Sequence, residues 1–168
     1  MKPLDSAIAQ IDASIENPTQ GIGEDLFHLV SRLTPIINVD LLIRNPQGEI
    51  LLTWRQDQFY GPGWHIPGGV IRFKETIAER IHAVAKSELD AQVRSNYLPL
   101  MVQEVMNHTR DTRGHFISLL YECTLLSELD EKMSFNADKP ANNQWRWHKE
   151  RPDNLIEVHR RIYSQVFN

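Results

Sequence analysis

The sequence predicts an α/β fold, a mixed β-sheet covered by helices. Three observations carry this. Five apolar or alternating runs (36–44, 49–54, 98–108, 115–126 and 144–148) have strand character. Four segments show helical spacing of their apolar residues, at 4–15, 24–33, 76–89 and after 152. The two kinds of segment interleave along a chain of 168 residues, a length that fits one globular unit.

In order along the chain, Leu4, Ile8, Ile11 and Ile15 form one helical stripe, with Asp5 placed to cap it. The loop 17–23 separates this segment from a helix over 24–33. That helix has acids at its start and Arg32 at its end, as the helix dipole favours, and Pro35 stops it. We therefore expect an N-terminal helical extension, 1–23, followed by a single domain, 24–168. The run 36–44 is mostly apolar, with β-branched residues, and reads as a strand buried on both faces. Asn45-Pro46-Gln47-Gly48 is a turn, and 49–54 returns, so 36–54 is expected to be a hairpin. A polar loop with Gly and Pro, 55–63, leads to Trp64-His65-Ile66-Pro67-Gly68-Gly69. In the helix over 76–89, Ile77, Ile81 and Val84 form the apolar stripe. At about 100° per residue Glu88 falls about 20° from Ile77, on that same stripe, where a carboxylate needs a partner, a cation above all. Glu75, Glu79 and Lys86 are expected to face solvent. Strands 98–108 and 115–126 are joined by the turn 109–114, and a short strand holds Trp145 and Trp147 on one face. Pro152-Asp153-Asn154 opens a final helix.

Composition narrows the function classes. A formal net charge of −4 gives no general affinity for nucleic acid or for an anionic membrane, so phosphate must be bound by local Arg, Lys, backbone amides or a metal. A single cysteine, Cys123, rules out an internal disulfide and sits in an apolar run typical of a core. No apolar run approaches the ~18 residues of a membrane span and no signal peptide is evident, so a cytoplasmic protein is expected.

Residues 68–90 carry the chemistry. Gly69 and Glu75 are followed by a helix whose later positions read Ala83, Val84, Ala85, Lys86, Ser87, Glu88, Leu89 and Asp90. This stretch resembles a Nudix box, a Gly, five residues, a Glu, seven residues, then Arg-Glu-apolar-x-Glu-Glu-x-Gly-apolar. Most of the acids are replaced, Ala83 stands for the Arg and Asp90 for the closing Gly; only Glu88 survives of the metal-binding acids. The resemblance extends from about Glu24 to Trp147 and is nearest to the GDP-mannose mannosyl hydrolase branch. Its marks are a short helix ending in Thr34-Pro35, a strand with a central Asp40, a Gly48-Glu49 turn, a strand ending in Arg55, and the Trp64 to Gly69 run.

The resemblance implies an α/β/α sandwich and a hydrolase that uses one Mg²⁺ (or Mn²⁺). Such an enzyme releases the sugar from a nucleoside diphosphate sugar by cleaving the C–O bond. It implies the carbonyl of Gly69 and the carboxylate of Glu88 as metal ligands. Asp40 and Arg55 face the substrate, with Arg72 in place of an Arg expected at Val70. It also implies a homodimer that acts on a small-molecule nucleotide. Physical chemistry agrees: Mg²⁺ retains water and takes phosphate oxygens, so one carboxylate holds one ion but does not assemble a multi-metal site.

The branch places a metal-binding Gln and a catalytic His where this chain has Ala141 and Asn142, and neither can substitute for them. Gln144 and Asn143 are the nearby alternatives for the metal. For the base the candidates are His115, His108, His65 and Glu104. His115 is preferred because it follows Arg113-Gly114, a turn suited to phosphate, while His148 and His159 read as surface residues. Phe59, Tyr60 and Trp64 either stack on a ligand or anchor the 55–63 loop. Two further functions stay open: a pyrophosphohydrolase that breaks a P–O bond with acids from outside the box, and a domain that binds nucleotide sugars without turnover.

Overall fold

The computed structural model describes residues 2–167. Its elements are α1 (Pro3–Ala13), α2 (Glu24–Leu33), β1 (Ile36–Ile43), β2 (Ile50–Arg55), β3 (Gly63–His65) and β4 (Gly68–Val70). These are followed by α3 (Ile77–Leu89), β5 (Val93–Ser95), β6 (Met101–Met106), β7 (His115–Leu125), β8 (Trp145–His148) and α4 (Glu157–Ile162). They form a mixed α/β fold, as the sequence predicts.

The larger sheet runs β4-β1-β7, and the far edge of β7 is shared by β6 and β5. β1 and β7 are parallel, from Ile36 opposite Phe116 to Ile43 opposite Cys123, whereas β4, β5 and β6 are antiparallel to their neighbours. β1 therefore has a partner on each side and helices or strands over each face, which is why its sequence is apolar on both faces except at Asn38 and Asp40. Val39, Leu41 and Ile43 point toward Ile81, Val84, Ala85 and Leu89 of α3. Leu42 points the other way, into a second cluster with Leu52, Trp54, Trp64, Ile66, Leu120 and Tyr163. Asp40 shares that second face and is 2% exposed, the polar exception in the centre of the sheet.

The expected hairpin over 36–54 is opened. β1 and β2 belong to different sheets, and only an isolated bridge, Arg44 to Ile50, joins them at the turn. β2 pairs instead with β3 and β8. β2 is apolar on both faces, as β1 is, so no alternation ties the two into one half-exposed ribbon.

α3 starts where Thr76 and Glu79 close a reciprocal cap: Glu79 N–H donates to Thr76 Oγ1 (3.2 Å) and Thr76 N–H to Glu79 Oε2 (2.7 Å). It ends at Asp90, whose left-handed backbone (φ 48°, ψ 35°) is the conformation for which a Gly is usual. Ile77 is 37% exposed rather than part of the buried stripe. The final helix is shorter than expected, Glu157–Ile162 with a 3₁₀ turn after it. α1 buries none of its side chains, and Leu4 and Ile8 are 69% and 48% exposed. Cys123 is buried in the core, where burial pushes its thiol up to about 12. Among the described residues no helix is long and apolar enough to cross a membrane.

Candidate active site

The middle of β1, the β3–β4 turn and β7 converge on one cavity of about 180 Å³, and Glu88 at the C-terminal turn of α3 touches its wall at Gly68 and His65. Asn38, Asp40, Arg55, Tyr60, His65, Gly68, Gly69, Phe116, Ser118 and His159 are among the residues around it. Gly68 stands opposite Asp40 in the antiparallel β1–β4 pair. A Cβ at Gly68 would lie 2.0 Å from Asp40 Oδ1 and 2.8 Å from the Val39 carbonyl, so Asp40 fits only because position 68 has no side chain.

Asp40 is held by three donors from three parts of the chain. Asn38 Nδ2 donates to Oδ1 (2.9 Å), and Tyr163 OH (2.5 Å) and Ser118 Oγ both donate to Oδ2. The two hydroxyls lie 2.9 Å apart, each with its one proton directed at the carboxylate. Burial pushes Asp40 up to about 6, against the opposing pull of these hydrogen bonds and of the charge of His65. Its neighbour Tyr163 is raised in turn by burial and by the charge of Asp40.

Glu88 is on the inner side of α3, as its spacing predicts, and its partners are not an arginine. Gly68 N–H donates to Oε1 (3.1 Å), Thr53 Oγ1 donates to Oε2 (3.1 Å), and His65 Nε2 lies 3.1 Å from Oε2. The other nitrogen of His65 is 3.0 Å from the Thr53 carbonyl. Each tautomer of His65 serves one of these two acceptors, so the ring positions Glu88. A carboxylate has about four lone-pair directions. The three contacts leave lone pairs free on the carboxylate, and Oε1 lies at the Gly68 amide next to Gly69 in sequence, which suits an ion that needs few protein carboxylates. Among the described residues no group of three His, Cys, Asp or Glu is placed to hold a metal. The donor set thus fits one hydrated divalent ion and not a cluster.

Arg55 reaches the same cavity from the end of β2. Its Nε pairs with Asp57, and its guanidinium lies 4.8 Å over the Tyr60 ring. Two expected participants are elsewhere. β4 stops at Val70, and Arg72 lies beyond it beside a separate apolar groove with Phe27 and Phe73. His115 points to the opposite face of β7 from Phe116 and Ser118, and its Nε2 is 3.2 Å from Glu104 Oε1. Strand alternation, which sequence position within an uncertain boundary did not fix, keeps both His115 and Glu104 away from Asp40.

His159, which the sequence placed on the surface, is 8% exposed and lines the cavity; its Nδ1 accepts from Ile66 N–H (3.0 Å). Burial, with the charges of His65 and Arg55, holds it well below its ordinary value. His148 is half-buried against Trp64 (4.5 Å between rings), and burial followed by the charge of Arg146 pulls it down to about 4. In the late loop, Asn142 Oδ1 accepts from Gln56 N–H (2.6 Å) and Gln144 Oε1 accepts from Ala141 N–H (3.0 Å), so both side chains brace loops. Asn143 reaches nearest to the α3 end, with Nδ2 3.4 Å from the Ser87 carbonyl.

One feature of the box was hidden from sequence reading. Glu75, expected in solvent, takes a two-pronged contact from Arg80, Nε to Oε2 (2.9 Å) and Nη2 to Oε1 (2.7 Å), with side chains 13% and 10% exposed. Arg80 thus supplies, one turn earlier, a guanidinium that Ala83 cannot.

The NUDIX domain family model matches residues 34–163. The chain belongs to the NUDIX family. Its relatives include the low-salt glycan biosynthesis protein Agl8 of Haloferax volcanii, 30% identical over 116 residues that cover 66% of this chain and 72% of that protein. An RNA pyrophosphohydrolase of Novosphingobium aromaticivorans is 26% identical over 144 residues, covering 76% of this chain and 87% of that one. Among solved structures, a MutT NUDIX hydrolase from Burkholderia pseudomallei superposes with a TM-score of 0.60 at 19% identity, covering 79% of this chain and 98% of its own. A MutT protein from Methanosarcina mazei gives 0.59 at 18% identity, with 79% and 94% covered. In this NUDIX chain Gly69 lies on β4 and Glu88 is an inward-facing acid of α3.

Proposed function

We propose that this NUDIX protein hydrolyses a nucleoside diphosphate sugar of the GDP-mannose type, releasing the sugar and the nucleoside diphosphate. The observation that carries the reading is a single inward carboxylate on the box helix beside a cavity that also holds Asp40 and Arg55. The relative named for glycan biosynthesis is in keeping with it.

Gly69 and Glu88 would hold one Mg²⁺ or Mn²⁺, and such an ion, when bound, supplies positive charge to the departing diphosphate. Arg55 faces the same leaving group with fixed charge and two donor edges. Asp40 is the base in this reading, in place of His115. Burial places it about 6, so it is ionised at neutral pH and near enough to that pH to accept a proton effectively. Water adds to the anomeric carbon, its proton passes to Asp40, and the C–O bond to the diphosphate breaks through an oxocarbenium-like transition state. Ser118, Tyr163 and Asn38 fix the Asp40 carboxylate for that transfer.

The experiment is turnover of nucleotide sugars with Mg²⁺ in ¹⁸O-labelled water. The label is expected in the sugar, with an unlabelled nucleoside diphosphate. Label in phosphate, with sugar phosphate and nucleoside monophosphate as products, would instead establish the pyrophosphohydrolase reading, which the 26% identical relative favours by its name. Metal-dependent binding without any turnover would make the chain a nucleotide-sugar binder.

A further inference from the structure

A second cavity, of about 440 Å³, lies under the β6–β7 turn and shares the walls formed by Tyr60 and Arg113 with the first. The turn is tight: a Cβ at Gly114 would lie 2.7 Å from the Arg110 carbonyl and 3.0 Å from that of Asn107. It presents two guanidinium groups to this space. Arg110 lies 4.6 Å over the Tyr60 ring and donates from Nη2 to the Phe59 carbonyl (2.7 Å). Arg113 is sandwiched by Phe59 (4.7 Å) and Phe27 (5.1 Å).

These arginines are pre-positioned and incompletely satisfied. Arg110 Nη1 and Arg113 Nε are shielded from solvent and have no hydrogen-bond acceptor among the described residues. Neither residue has an ion-pair partner among them, while the nearby carboxylate of Asp57 is engaged with Arg55 and with the amides of Phe59 and Tyr60. Burial lowers Arg113 from its ordinary value, opposed by Tyr60 and Asp57 and reinforced by the charges of Arg55 and Arg110. Both guanidinium groups are half-buried, and Asp57 acts on Arg113 as a counter-charge without pairing with it; planar forks held on aromatic faces with donors to spare match the geometry of phosphate oxygens.

We propose that this cavity binds the phosphate chain of a nucleotide through Arg110 and Arg113. The proposal rests on the preceding reading only for the source of that chain; polyphosphate binding itself requires neither a sugar nor a metal.

The test is calorimetric titration of the full chain with inorganic pyrophosphate in EDTA, with sulfate as the comparison anion. The parent is expected to bind pyrophosphate at least tenfold more tightly than sulfate. Loss of one charge-assisted contact is worth roughly ten- to a hundredfold, so Arg110→Gln and Arg113→Lys should each weaken binding by about that factor. Glu88→Gln should leave it unchanged. Arg113→Lys keeps the charge between the two rings and loses the fork; near-UV circular dichroism verifies the fold, and Arg110→Lys replaces any variant that fails it. No pyrophosphate binding by the parent, equal affinity for sulfate, or unchanged affinity in the folded variants overturns the proposal. Arginine-dependent pyrophosphate binding with no hydrolysis of any nucleotide sugar would sink the preceding reading and leave this one standing. Hydrolysis without that dependence would do the reverse.

Discussion

Replacing Asp40 by Asn should make the protein more stable and less active, and the stability gain should depend on pH. The carboxylate is raised from the ordinary 3.8 to about 6, chiefly by burial. At about 1.4 kcal/mol per pH unit, a difference of this size is worth on the order of 3 kcal/mol against the folded, ionised form. The sign follows from proton binding. Between pH 3.8 and about 6 the folded state holds a proton that the unfolded state has released, so stability falls as pH rises through this window. Above it the cost is complete; below it the cost is absent. Asn has nearly the same shape, keeps an oxygen for Asn38, and lets the hydroxyls of Ser118 and Tyr163 turn to accept from its amide. Urea unfolding of parent and Asp40→Asn at several pH values measures the difference directly. The variant should match the parent near pH 4 and exceed it by about 3 kcal/mol at pH 8, roughly 6–12 °C in melting temperature for a chain of this size. A stability difference that does not change with pH, or a variant less stable at pH 8, would refute the argument. With a substrate in hand, the parent's kcat/KM should rise with pH through about 6, and Asp40→Asn should lose about 10²-fold or more of its turnover.

Other outcomes are open to measurement. Glu88→Gln should abolish Mg²⁺-dependent ligand binding while the fold persists; calorimetry showing parental metal and ligand affinity would remove Glu88 from the metal site. Arg55→Ala should weaken binding of a nucleoside diphosphate by roughly ten- to a hundredfold, the worth of one bidentate charged contact of about 1.5–3 kcal/mol. Arg80→Ala strands the nearly buried Glu75 carboxylate and should cost roughly 3–5 kcal/mol by chemical denaturation. The exposed apolar stripe of α1 supports a homodimer, so light scattering at tens of micromolar should give twice the chain mass of 19.5 kDa. The chain without residues 1–23 should still fold, with 24–168 as its single domain, and a monomeric full-length protein would retire the dimer.

What was legible in the sequence had a local cause. α3 carries its own cap and a period of buried residues, and Glu88 could be placed on the inner side by angle alone. Glu75 could not, because it precedes the Thr76 cap and helical geometry does not describe it; its contact with Arg80 runs across the turn into the helix. The strands β1 and β2 are legible, yet their pairing is not, since strands that bury both faces carry no alternation to set a register. Asp40 was recognised by resemblance, but its partners lie 78 and 123 residues away at Ser118 and Tyr163, beyond the reach of any periodicity. His159 was misplaced for the same reason, as the amide of Ile66 that it accepts from is 93 residues distant. Which way His115 faces turns on a single residue of strand register, which the sequence does not fix.

The parallel pairing of β1 with β7 sets an order on the birth of the site. β1 is made early, but its central partner begins at His115, and Ser118 on that partner supplies a hydrogen bond to Asp40. Domains generally fold as units as the chain leaves the ribosome, and contacts so far apart in sequence form late. Until β7 has emerged, β1 is a strongly apolar strand with an open edge and an uncovered carboxylate in its middle. Asp40 is the one charged residue of that strand, and inward-pointing charges are a device that keeps open strand edges from pairing wrongly. The carboxylate whose burial raises its pKa in the folded protein is the same one that stands uncovered until β7 arrives.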